Sequence, residues 1–156
     1  MRVALAVIVG YLALLLAMFL ILTVVWFVLG PDRAHRPGTF ELSHAFAASM
    51  VVSALLAGLV GGVVARRIAP NSTAPLILAA IFLVVGLAGS APSWQSPAPV
   101  ERPTTFTMVD AMNNAPPPLW SALLSPLAGF LGILVGGKSP ALASPDEHLP
   151  SHRAST

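Results

Sequence analysis

Apolar residues in this chain fall in four long uncharged blocks separated by polar segments. The blocks Val3–Leu29, Ser43–Ala65, Ala74–Ala91 and Leu119–Gly136 contain no Asp, Glu, Lys or Arg. No sustained 2-residue or 3.6-residue alternation runs through them, as it would in the half-buried strands or amphipathic helices of a water-solvated domain. A helix needs roughly 20 apolar residues to cross a hydrocarbon core about 30 Å thick. The pattern therefore predicts an all-α fold, a transmembrane four-helix bundle. Val3–Leu29 would span roughly 40 Å as a helix, so it must tilt or protrude. It is also much longer than the apolar core of a signal peptide and has no small-residue cleavage site, so it reads as a retained first span. Ala74–Ala91 lies near the short limit.

Within the second block, Ser49, Ser53, Ala57, Gly61 and Ala65 recur every fourth residue, with Ala54, Gly58 and Gly62 in the adjacent row. Small residues at this spacing leave a groove into which a neighbouring helix settles backbone to backbone. Ala128, Gly132 and Gly136 form a second such row in the last block. The expected helix-packing residues are Ser53, Ala57, Gly58, Gly61, Gly62, Ala128, Gly132 and Gly136. A sharper alternative places Gly58, Gly61 and Gly62 along a narrow pore or a dimer seam. Pro126 removes a backbone donor from the last span and predicts a kink near Ala122–Pro126. Ser121 and Ser125 are placed to satisfy the carbonyl so freed.

The connections are short or rich in proline. Gly30–Leu42 holds two Gly/Pro turn pairs, and Asn71-Ser72-Thr73 offers a cap for the third helix. Residues 92–118 form the one substantial loop; seven of its 27 residues are proline, which predicts an extended segment. A short surface helix is expected there at Thr107–Asn114. Residues 139–156 read as a disordered tail rich in proline and serine. Four crossings place Trp26, Trp94 and Trp120 on one side, as an interfacial belt requires. Arg2, Arg66, Arg67, Lys138 and Arg153 then lie on the other side. Only Arg33, Arg36 and Arg102 share the tryptophan side, so the basic surplus places both termini in the cytoplasm. An offset of 71 residues lays Ala57-Gly58-Leu-Val-Gly61 over Ala128-Gly129-Phe-Leu-Gly132. It thus raises two repeated helical hairpins as an alternative to an unrelated set of spans.

Composition sharpens this picture. Of 156 residues, 56% are apolar and 9% charged, and mean hydropathy is +0.82. Soluble domains carry about 25% charged residues, so the surface here faces lipid. The net charge is +2, but no basic cluster exceeds the Arg66–Arg67 pair, which excludes the basic stripe of a nucleic-acid reader. With no cysteine, disulfides and thiolate chemistry are also excluded.

Ion-coupled transport and intramembrane hydrolysis rely on ionisable residues within the spans, and these spans have none. Small four-helix multidrug exporters are of similar size, yet they carry a glutamate in the first helix where Val3–Leu29 has none. The best polar constellation is Glu41 with His44, which share a helix face at a spacing of three, near His35. Such a set resembles part of a zinc site without a demonstrated third ligand; ordinary interfacial solvation is the competing reading. Asp110 lies on the same side, with Asn113 and Asn114, and completes a candidate polar vestibule with Glu41 and His44. No nucleotide-binding loop, serine elbow or metalloprotease motif occurs, so neither a cofactor nor a metal is expected, and an enzyme is disfavoured.

The stretches Gly58–Ala69 (GLVGGVVARRIA) and Pro116–Lys138 (PPPLWSALLSPLAGFLGILVGGK) resemble those of small uncharacterised bacterial membrane proteins of four spans. In these a glycine-rich second span ends in Ala-x-x-Ile-Ala, and a tryptophan precedes a final span rich in proline and glycine. The resemblance implies a bacterial inner-membrane location and no particular activity. The expected function is that of a scaffold or accessory subunit acting through helix–helix contact, its partners the lipid bilayer and either a second copy or another membrane protein. The alternative is a small transporter or channel subunit.

Overall fold

A computed structural model describes residues 1–36, 39–70, 73–95 and 117–139. The described residues form α1 (Arg2–Leu29), the one-turn α2 (Pro31–Ala34), α3 (His44–Ile68), α4 (Thr73–Gly89) and α5 (Leu119–Lys138), with a 3₁₀ turn at Ala91–Gln95. The four long helices are those expected from the apolar blocks, and the described residues contain no strand, only an isolated bridge between His35 and Leu42. α1, α3 and α5 are long and apolar enough to cross a membrane. α4 has 17 residues, about 25 Å at the helical rise, and is short of a full crossing by itself. It ends at Gly89, where the chain tightens into the 3₁₀ turn instead of continuing as α-helix to Ala91. The expected cap at Asn71 and Ser72, the helix at Thr107–Asn114 and the tail beyond Ser139 lie outside the described residues.

Consecutive long helices run antiparallel, so α1 and α4 point one way and α3 and α5 the other. α3 is the central element, with its two rows of small residues serving different neighbours. The row Ala57, Gly61 and Ala65 faces α1: a Cβ on Gly61 would lie 2.9 Å from Cβ of Leu14 and 3.0 Å from the Gly10 carbonyl oxygen. The row Gly58 and Gly62 faces α5, where added Cβ atoms would overlap the carbonyl oxygens of Gly129 and Ile133. Reciprocally, Cβ atoms at Gly132 and Gly136 would overlap the carbonyls of Leu55 and Leu59. α4 closes the bundle against α5: Gly86 receives Pro126, Gly129 receives the ring of Phe82, and Gly137 receives Pro75. α4 also meets α1, as Ala6 and Ala74 share a small cluster with Ala69.

This core is built from small side chains. Leu14, Leu78 and Ile133 are the only large aliphatics with under 2% exposure among the described residues. Leucines, valines and phenylalanines instead cover the outside, including Leu12, Leu16, Phe19 and Phe27 of α1 and Val84 and Val85 of α4. Water would penalise such a surface, since burial of apolar area is worth about 25 cal/mol per Å². Lipid does not. Between helices in lipid, association comes from close van der Waals contact, and glycine permits the closest approach.

The 71-residue offset is followed only in part. Gly58 meets Gly129 and Gly62 meets Ile133 across the α3–α5 seam, as a two-fold axis between the hairpins requires. However, Gly132 seats between Leu55 and Leu59, whereas the offset aligns it with Gly61. α5 is thus displaced by about one helical turn from strict repetition. The two glycines also have different neighbours, Gly61 facing α1 and Gly132 facing α3.

α5 remains α-helical through Pro126. The serines do not serve the freed carbonyl as expected. The Ser121 hydroxyl donates to the Pro118 carbonyl at 2.9 Å, and that of Ser125 is buried with no hydrogen-bond partner among the described residues.

The packing yields a paired prediction. Gly62→Ala forces α3 and α5 apart and should destabilise the bundle by about 1–3 kcal/mol. Gly89→Ala meets nothing within 4 Å and should be neutral or stabilising by up to about 1 kcal/mol. Unfolding titrations in mixed micelles measure both.

Candidate functional site

The alternation of the helices brings the C-terminal ends of α1 and α4 together with the N-terminal ends of α3 and α5. The three tryptophans collect at this end, and so does the most organised polar cluster among the described residues. Gly30 makes the cluster's first turn. At φ 71° it holds a conformation that residues with a Cβ seldom adopt, and it lets the chain reverse directly from α1 into α2.

The segment between α2 and α3 folds back on itself. The Arg36 amide donates to the Glu41 carbonyl at 2.8 Å, and the Ser43 amide donates to the Ala34 carbonyl at 2.9 Å. Ser43 then caps α3: its hydroxyl accepts from the Phe46 amide at 3.2 Å and donates to the Arg33 carbonyl at 2.6 Å. One side chain thereby satisfies an orphan helix donor and ties α3 to the turn before it.

His35 is the plug of this turn. It is 2% exposed, and its Nδ1 lies 3.0 Å from the Phe40 carbonyl oxygen. Its ring meets Trp26 and Phe40 edge-on at centroid distances of 5.8 and 6.0 Å. Trp26 also meets Phe46 edge-on at 6.1 Å. Edge-to-face aromatic pairs contribute about 0.5–1.5 kcal/mol beyond their area burial, so the end of α1 is joined to the start of α3 by this aromatic set.

The expected pair Glu41 and His44 does come together, through a residue that the sequence reading left out. Arg36 donates to the Glu41 carboxylate at 2.7 Å, and its other terminal nitrogen lies 3.3 Å from Nε2 of His44. On its other side His44 stacks on Trp120 of α5 at 6.4 Å and 28°. The guanidinium thus holds one oxygen of the Glu41 carboxylate and lies beside one nitrogen of the His44 ring. His35 is engaged with the Phe40 carbonyl rather than with this pair. No group of three metal-binding side chains is present among the described residues. Asp110, the third vestibule residue, lies outside them.

The helix-packing residues occupy the bundle interior. Ser53, Ala57, Gly58, Gly61, Gly62, Gly132 and Gly136 are all buried, and Ala128 is half-buried. Gly129 and Gly137, which receive Phe82 and Pro75 of α4, were not among the expected positions. Their signal was present in the same glycine-rich block but lay on a third face.

This architecture defines an α-helical membrane-type bundle of four long helices, whose described interior holds hydroxyls and backbone but no Asp, Glu, Lys, Arg or His away from the helix ends. The chain matches no known family model, and no curated protein and no solved structure is significantly similar to it.

The cluster separates two kinds of contact by magnitude. His35→Ala removes a buried aromatic plug and should destabilise the protein by about 2 kcal/mol. Glu41→Gln breaks an ion pair whose side chains are 51% and 39% exposed and should change stability by less than about 1 kcal/mol. Thermal unfolding in detergent distinguishes the two, and equal losses would contradict this ranking.

Proposed function

We propose that this chain is an integral protein of the bacterial inner membrane with both termini cytoplasmic, serving as a scaffold or accessory subunit through helix–helix contact rather than as an enzyme. The observation that carries this reading is the distribution of its chemistry. Among the described residues, charged side chains stand only at the two ends, the interior is filled by small residues, and large apolar side chains cover the outside. Such a molecule has a well-formed surface within the membrane and no group in its spans for moving protons or polarising a substrate. The bacterial location rests on the resemblance of Gly58–Ala69 and Pro116–Lys138 to small bacterial four-span proteins. The orientation rests on the surplus of basic residues at the end bearing Arg66, Arg67 and Lys138.

The second reading is a small transporter or channel subunit, favoured by the unpartnered Ser125 hydroxyl beside Pro126. In that case hydroxyls and backbone carbonyls would set selectivity.

Affinity purification in mild detergent discriminates between them. A stable complex with a different membrane protein is the expected result; a homo-oligomer that carries solute across liposome membranes would contradict the accessory role. Orientation has its own check, because the chain has no native cysteine. A membrane-impermeant maleimide should label Thr39→Cys in cells with an intact inner membrane, and Ser139→Cys only after permeabilisation. The reverse pattern would invert the topology.

A further inference from the structure

Among the described residues, the end of the bundle opposite the tryptophans carries charge of one sign. Arg66 and Arg67 close α3, Lys138 closes α5, and Arg2 opens α1. The one carboxylate with a described side chain, Glu41, is at the other end, so no carboxylate among the described residues faces these four cations. None of the four makes a hydrogen bond or ion pair with another described residue. The contrast with the tryptophan end is direct, where Arg36 is held by Glu41 and His44.

The helix ends that carry the cations are fixed relative to one another. α3 and α5 touch immediately before their charged ends: a Cβ on Gly62 would lie 3.0 Å from the Gly137 amide nitrogen, and one on Gly136 would lie 3.1 Å from that of Val63. Lys138 is therefore held within about a turn of Arg66 and Arg67. α1 is fixed beside them through the cluster of Ala6, Ala69 and Ala74, with Val3 and Ile68 packed against it. Arg66 is half-buried, whereas Arg67 and Lys138 are exposed. The bundle's large apolar side chains begin directly above this ring, as with Leu5 of α1, Leu76 of α4 and Val135 of α5. Cations next to such an apolar surface suit the boundary between hydrocarbon and headgroups.

We propose that this end of the bundle binds the headgroup of an anionic phospholipid, with Arg66, Arg67 and Lys138 as the phosphate-binding side chains and Arg2 at the rim. Guanidinium groups donate in a fork that matches phosphate oxygens, and the acyl chains of the same lipid lie along the apolar flank of the adjoining helices. Arg66, Arg67 and Lys138 also lie in the last turns of α3 and α5, where they complement the C-terminal dipoles. That role requires positive charge but confers no preference among lipids. The inference goes beyond the proposed function and holds equally for an accessory subunit or a transporter.

The test uses the full chain purified in a non-ionic detergent and titrated with phosphatidylglycerol or phosphatidylcholine, with bound lipid counted by native mass spectrometry. Phosphatidylglycerol should be retained in preference to phosphatidylcholine. Each cation near an anionic surface contributes roughly five-fold, so replacing Arg66, Arg67 and Lys138 together by Gln should lower phosphatidylglycerol affinity on the order of 100-fold. Arg33→Gln, at the other end, should leave it unchanged, and circular dichroism should confirm that each variant is folded. Equal retention of the two lipids, or an unchanged preference in the folded triple variant, would overturn the proposal. So would complete displacement by millimolar inorganic phosphate, which would assign a free-anion site. Binding that appears only after removal of residues 140–156 would overturn it too, because the acids Asp146 and Glu147 would then occupy the site in the intact chain.

Discussion

The bundle depends on a seam where two stretches of backbone meet. Along the α3–α5 seam, Gly58 and Gly62 press on the carbonyls of Gly129 and Ile133, and Gly132 and Gly136 press on those of Leu55 and Leu59. No side chain separates the helices at these points. In water such a seam would contribute little, because glycine buries almost no apolar area. In lipid the comparison changes, since leucine gains nothing by leaving hydrocarbon for a protein interior that is equally apolar. What remains is the density of atomic contact, and that is greatest where backbones touch. The arrangement of the other helices follows. α1 takes the second small row of α3, α4 takes the third face of α5, and the larger side chains are displaced to the outside.

The two ends of the bundle are organised on different principles. At the tryptophan end, polar and aromatic groups are satisfied by one another: Ser43 caps α3, His35 fills the turn, and Arg36 joins Glu41 to His44 beside Trp120. These contacts close the turn between α1 and α3. At the arginine end the cations have no partner among the described residues.

Much of this fold was legible in the sequence because membrane solvent simplifies the code. Uncharged blocks of about 20 residues must be helices, since lipid offers no partners for open backbone groups, and the four blocks place the four helices closely. The small-residue rows of α3 were equally legible, because spacing by four puts residues on one face. Three things were not. The length of α4 was misread at its C-terminal end, because Ser90 and Ala91 are apolar enough to continue a span while the chain tightens at Gly89. The repeat offset captured Gly58 with Gly129 but not the displacement of α5, because translation along a helix leaves residue spacing unchanged. Arg36 was missed as the link between Glu41 and His44, because a residue eight positions away becomes a neighbour only when the loop folds back. The pairing of Glu41 with His44 could be anticipated; its purpose could not.

The account stands on glycine-to-glycine proximity between α3 and α5 in a bilayer. Solid-state NMR of the protein in liposomes, with ¹³C-labelled glycine, measures that proximity directly. The account predicts a through-space cross-peak between the α-carbons of Gly58 and Gly129, alongside chemical shifts that report helix at both positions. Helical shifts with no α3–α5 cross-peak would show four spans that do not nest through their backbones, and would contradict the packing on which the rest depends.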